Sequence, residues 1–132
     1  MKLQNFKDHF VSTPHGKIFC RTHGSGPALL LLHGYPQTHL MWHKTAPSLS
    51  ENFSVIAADL RGYGDSMAPE SDNKHQIYSK RSMAEDMIHL MDYFSIDEFF
   101  VAGHDRGGRV AHRLARDYRE RVKGISVLDI CP

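Results

Sequence analysis

The stretch Ala28–His33 is an apolar run without polar alternation, closed by a loop that holds Gly34 and Pro36. A strand with one wet face alternates, whereas a continuous run of this length is the pattern of a strand covered on both faces in a parallel sheet. Phe53–Asp59, Phe99–His104 and Ile125–Leu128 repeat it. Helical patterns lie between these runs. His39–Leu49 has room for a short helix. From Ser82 to Phe94, Met83, Met87, Met91 and Phe94 share one helical face, and Ser82 and Glu85 have the spacing of a capping box. Arg106–Tyr118 turns Val110, Leu114, Ala115 and Tyr118 inward, with Gly124 beyond its end. Residues 7–23 read as two strands around Thr13-Pro14-His15-Gly16, with Ile18, Cys20 and Thr22 alternating in the second. Residues 67–78 read as a polar surface loop. Buried strands alternating with helices predict an α/β fold, its mostly parallel sheet flanked by helices and preceded by an antiparallel edge from the hairpin.

With 132 residues the chain is one domain at most. Sixteen Lys and Arg oppose 15 Asp and Glu, a formal net charge of +1, so there is no basic stripe to suggest nucleic acid. No apolar run approaches the roughly 18 residues needed to span a bilayer, and residues 1–5 carry no apolar leader core. Cys20 and Cys131 form no metal or redox spacing, which points to a reducing, cytoplasmic setting. His39 and His43 stand four apart but lack the intervening Glu and a third ligand, so no metal is expected. Gly62-Tyr63-Gly64 is too short for a nucleotide fingerprint, and no cofactor is expected.

Ligands of open α/β sheets bind beyond the carboxyl ends of the strands. Four segments stand there: His33-Gly34-Tyr35-Pro36, Asp59–Ser66, Gly103–Gly107 and Asp129. Gly103-His104-Asp105-Arg106-Gly107 leaves a strand and enters a helix, the pattern of a nucleophile elbow with Asp105 at its tip. A carboxylate is already ionised near neutrality and suits displacement at a saturated carbon, leaving an ester on the enzyme. The plainer alternative is that Asp105 only caps the helix. Arg106 and Arg109 open that helix beside Asp105, and their planar forks suit a small carboxylic acid. Arg113 and Arg116, further along, read as solvated surface. The His33-Gly34-Tyr35-Pro36 loop is the expected second half of an oxyanion hole, with the Tyr35 N–H joining that of Arg106. Asp129 is either the acid that orients a catalytic histidine or a carboxylate capping a loop.

Leu29–Leu32 with His33-Gly34-Tyr35-Pro36-Gln37-Thr38, Asp59-Leu60-Arg61-Gly62-Tyr63-Gly64-Asp65-Ser66, and Gly103-His104-Asp105-Arg106-Gly107-Gly108-Arg109 resemble the α/β-hydrolase superfamily. The match is nearest to the haloacetate (fluoroacetate) dehalogenases and runs from residue 10 onward. The resemblance implies hydrolysis of a 2-haloacid to the hydroxy acid with inversion at carbon. Asp105 would be the nucleophile, Asp129 the triad acid, and Arg106 and Arg109 the holders of the substrate carboxylate. It also implies a helical cap after the strand ending near Asp129, two further strands and a late histidine as base. None of these is found here, so residues 1–132 are expected to be the N-terminal part of the domain and unable to turn over alone. The expected partner is a small anionic haloacid, with no nucleic acid or membrane, and a homodimer is compatible with the pattern. Two other readings stand beside it: an epoxide hydrolase using the same nucleophile, and a non-catalytic binding protein or fragment on this fold.

Overall fold

In the computed structural model residues 3–70 and 77–130 are described. Cys131 and the middle of the 67–78 loop lie outside them. The hairpin is β1 (Lys7–Thr13) and β2 (Gly16–His23), which pair antiparallel. Then follow β3 (Ala28–Leu32), a 3-10 turn at His39–Trp42, α1 (Ala46–Leu49), β4 (Ser54–Ala58), α2 (Lys80–Tyr93), β5 (Phe99–His104), α3 (Arg106–Asp117) and β6 (Val122–Leu128). The sheet has six strands in the order β1-β2-β4-β3-β5-β6, parallel from β4 to β6. β2 joins it antiparallel to β4, so the hairpin forms the antiparallel edge.

Successive strand side chains point to opposite faces. Leu30 and Leu32 therefore join Ile56, Val101 and the helical Met83, Met87, Met91, Val110 and Leu114 on one side of the sheet. Leu29 and Leu31 pack with Val55, Ala57, Trp42 and Ala46 on the other. Both faces of β3 are covered, which is why its sequence does not alternate. Trimming a side chain as buried as Leu32 to alanine costs about 2–5 kcal/mol.

Several boundaries differ from the sequence expectation. The cap of α2 is Ser79, whose extended backbone and Oγ, accepting the Ser82 N–H at 3.1 Å, start the helix at Lys80. Ser82 is thus inside the first turn. His39–Leu49 divides into a 3-10 turn and a four-residue helix, with Thr38 Oγ capping the first piece. Gly124 lies within β6, and Ile125 and Leu128 in β6 are 42% and 43% exposed, the strand standing at the end of the sheet and pairing with β5 among the described residues. On α3, Ala111 is fully buried while Ala115 and Tyr118 are half-buried. No helix among the described residues is long and apolar enough to cross a membrane.

Candidate active site

β5 ends at His104 and α3 begins at Arg106, leaving Asp105 alone at the bend. Its backbone stands at φ 54° and ψ −119°, the first central position of a type II′ turn, where glycine is at ease and other residues are strained. The surroundings hold it there: the Asp105 N–H donates to the Leu128 carbonyl at 3.0 Å, and the Gly108 N–H donates to the Asp105 carbonyl at 2.9 Å. Strand and helix can approach this closely only because residues 103 and 107 lack side chains. A Cβ on Gly103 would enter the Gly107 carbonyl, and one on Gly107 would enter the carbonyls of Leu32 and His33.

Asp105 does not cap α3 with its side chain. Instead its Oδ2 accepts the Tyr35 N–H at 3.1 Å, across seventy residues of sequence. The Tyr35 N–H first, then that of Arg106, hold the carboxyl below its ordinary value; partial burial opposes them, and the His104 and Arg106 charges assist. The backbone N–H groups of Tyr35 and Arg106 thus both act on the Asp105 carboxylate, the Tyr35 one at Oδ2.

The loop that presents Tyr35 is tied down by its own residues. His33 is fully buried; its Nδ1–H donates to the Gly34 carbonyl at 2.9 Å, and its Nε2 accepts the Leu60 N–H at 3.0 Å. Burial lowers its pKa, so it stays neutral in that one tautomer. Gln37 closes the loop: its N–H donates to the Gly34 carbonyl at 2.8 Å, and its Oε1 accepts the Gly34 N–H at 3.1 Å. The intervening Tyr35–Pro36 peptide is cis.

Asp129 also has a positive φ, 56°, and its exposed carboxylate meets His104 Nε2 at 3.0 Å. His104 Nδ1 faces Gln37 Oε1 at 3.1 Å. Both ring nitrogens of His104 are therefore engaged. Arg106 is exposed, donates from Nη1 to the Tyr63 hydroxyl at 3.1 Å, and lies 4.6 Å from the Tyr35 ring centre. Arg109 is exposed one turn away. Of the more distant pair, Arg113 binds Asp117 at 2.6 Å and Arg116 is exposed.

The segment Asp59–Ser66 is scaffold for this loop. Asp59 is fully buried, its Oδ1 taking the N–H and Nδ1–H of His39 at 2.7 Å each and its Oδ2 the Asp65 N–H at 3.0 Å. Burial alone would raise its pKa, but these donors outweigh it and keep the carboxylate below its ordinary range. Arg61 binds Asp86 through two bonds of 2.6 Å and donates to the Ile77 carbonyl, fixing the turn that carries Tyr63. His39 is thereby committed to Asp59, and His43 Nδ1 meets the Leu40 carbonyl at 2.9 Å. Among the described residues no group of three or more His, Cys, Asp or Glu could hold a metal ion. Gln37, Tyr63 and Lys80, a neighbour of the elbow from α2, complete the site without a role having been assigned to them from the sequence; Gln37 and Tyr63 lay within quoted motifs, and Lys80 did not.

A family model described as alpha/beta hydrolase fold matches residues 27–131. The chain is 46% identical over 130 residues to a fluoroacetate dehalogenase from Burkholderia sp, covering 98% of this chain and 43% of that protein. It is 44% identical over 111 residues to a soluble epoxide hydrolase from Corynebacterium sp. (strain C12), covering 84% and 37%. A crystal structure from Nostoc sp PCC 7120, described as an alpha/beta hydrolase, superposes with a TM-score of 0.97 at 53% identity, covering 99% of this chain and 45% of that one. The chain spans less than half the length of each of these relatives.

Proposed function

The chain belongs to the α/β-hydrolase fold family, and we propose that it carries the nucleophile, oxyanion hole and carboxylate clamp of a hydrolase that removes halide from a small 2-haloacid. The observation that supports this most is the Asp105 carboxylate held by the Tyr35 N–H at 3.1 Å with Arg106 and Arg109 beside it. With Oδ2 held by the Tyr35 N–H, Oδ1 attacks the carbon bearing the halogen. The C–O bond forms as the carbon–halogen bond breaks, and halide leaves with the bonding pair. Attack from the side opposite the halogen inverts the carbon. Water then adds to the ester carbonyl carbon and negative charge returns to Oδ2, where the N–H groups of Tyr35 and Arg106 receive it. One such donor is worth about 10²–10³ in rate. Collapse frees the hydroxy acid and restores the carboxylate.

The second step needs a base for the water proton. His33 and His104, the histidines beside the motif, are both engaged through both ring nitrogens. Residues 1–132 by themselves are therefore expected to release one equivalent of halide and stop at the ester. Chloride release from chloroacetate tests the proposal: one equivalent from the native sequence and none from Asp105→Asn supports it. Release far beyond one equivalent overturns the single-turnover part, and equal release by both forms overturns the nucleophile. An epoxide substrate is the second reading, favoured by the likeness to the Corynebacterium enzyme. Diol from a simple epoxide without halide from chloroacetate would select it. Undiminished chloroacetate binding with no chemistry would select a non-catalytic role.

A further inference from the structure

Beside the elbow a cleft of ≈ 270 Å³ is bounded by Tyr35, Tyr63, Tyr78, Lys80, Met83 and Arg106. At roughly 30 Å³ per water it has room for a small organic acid with a few waters, not for a large ligand. Its walls are aromatic rings and the buried Met83, and its charge is entirely cationic. The walls are fixed: Arg106 is bonded to Tyr63, Tyr78 donates to the Pro69 carbonyl, and Tyr78 packs on Gly62. Lys80 occupies the first position of α2 and is half-buried, with Ser79 capping the helix just before it.

The charges are unbalanced. Five arginines have carboxylate partners among the described residues: Arg21 with Asp8, Arg61 with Asp86, Arg81 with Glu85, Arg113 with Asp117 and Arg121 with Asp92. Among the described residues no ion pair includes Lys80, Arg106 or Arg109. Burial first, then Arg106 and Arg109, push the Lys80 ammonium below its ordinary value, with Asp105 pulling the other way. Lys80 and Arg106 thus line one cleft, with Arg109 and the Asp105 carboxylate near enough to act on Lys80, and a bound anion would relieve the repulsion among the cations.

We infer that Lys80 is the third cation of this site and that the tyrosine-lined cleft collects small carboxylate anions for Asp105. This role rests on the haloacid reading and names a residue that the paired arginines alone do not account for. Lys80 draws the substrate's charge into the cleft, and Arg106, which lines the cleft and adjoins the nucleophile, passes it on.

The test is the second-order rate of Asp105 alkylation, read by mass spectrometry, with chloroacetate and with its neutral analogue chloroacetamide. Lys80→Gln should slow chloroacetate about tenfold, the low end of electrostatic focusing in a charged cleft, while chloroacetamide changes less than about twofold. Lys80→Arg should restore the rate, and added salt should narrow the gap. Equal slowing of both reagents, or of neither, overturns the inference. If neither reagent alkylates the native protein, the proposed function fails on its own. Acetate binding followed by NMR then still decides the role of Lys80. Weaker binding in Lys80→Gln, recovered in Lys80→Arg, supports it; unchanged binding, or no binding to the native protein, overturns it.

Discussion

Replacing Gly34 with alanine would place a methyl carbon 2.5 Å from Asp105 Cβ, 2.9 Å from the His104 carbonyl oxygen and 3.0 Å from Asp105 Oδ2. Carbon atoms in contact sit about 3.5–4.0 Å apart, so a gap of about 1 Å must open. Asp105 cannot yield easily, because its backbone is bonded to Leu128 on one side and to α3 on the other. The loop must move instead. Gly34 is not in the left-handed region, so alanine suits its backbone and only the collision matters. The Tyr35 N–H to Oδ2 bond, already 3.1 Å, then passes beyond the usual range of about 2.7–3.2 Å and is lost. Overpacking should lower stability by about 1–3 kcal/mol, and hydrolysis of an Asp105 ester should slow by about 10²–10³. The direct assay is the carboxyl carbon titration of Asp105 by NMR, assigned with Asp105→Asn. The native midpoint should lie below the ordinary 3.8 because the Tyr35 donor favours the charged form, and Gly34→Ala should bring it back up toward that value. An unchanged midpoint in a folded Gly34→Ala protein would refute the claim that this loop holds the nucleophile.

Four further outcomes follow from the same contacts. Asp105→Gly removes the nucleophile but also the strain of φ 54°, so urea unfolding should show a gain on the order of 1 kcal/mol; a clear loss would mean the bend is not strained. Asp86→Ala strands the buried Arg61 guanidinium and should cost about 3–5 kcal/mol in chemical denaturation, while the double variant Arg61→Met with Asp86→Leu should cost less than either single change. Asp59 has a depressed folded pKa, so its stabilisation is complete above the ordinary carboxylate value and is lost as pH falls through the folded one. Thermal melts from about pH 5 downward should therefore fall more steeply for the native protein than for Asp59→Asn. Burial first, and Asp59 second, push the Cys20 thiol up to about 12, so peptide mapping should find Cys20 unmodified by iodoacetamide at about pH 8 until the chain is unfolded.

The parts of the fold legible in the sequence were those whose environment is written locally. Ala28–Leu32 and Phe99–His104 were read as strands because short unbroken apolar runs suit the interior of a parallel sheet, and the Gly-flanked Asp105 announced a bend where two backbones pass. Ile125–Leu128 has the same apolar pattern, which serves a covered strand or an outer one, and among the described residues β6 pairs with β5 at the end of the sheet order. The Ser82–Glu85 spacing misplaced the start of α2 because Ser79, three residues earlier, takes the extended backbone and caps the helix instead. Asp105, Arg106 and Tyr35, singled out by their chemistry at strand ends, lie together in the structure. The partners of Asp59, Arg61 and Lys80 were not legible in the sequence, because each lies on another element and no spacing rule links His39 to Asp59, Asp86 to Arg61, or Lys80 to the elbow.

The central claim is that Asp105 attacks carbon. It is tested most directly by treating the chain with chloroacetate and mapping the modified peptides by mass spectrometry. The account predicts one carboxymethyl group per chain, joined as a hydroxylamine-labile ester to the peptide containing Asp105 and missing from Asp105→Asn. An unmodified Asp105, with any label confined to cysteine or histidine, would contradict it.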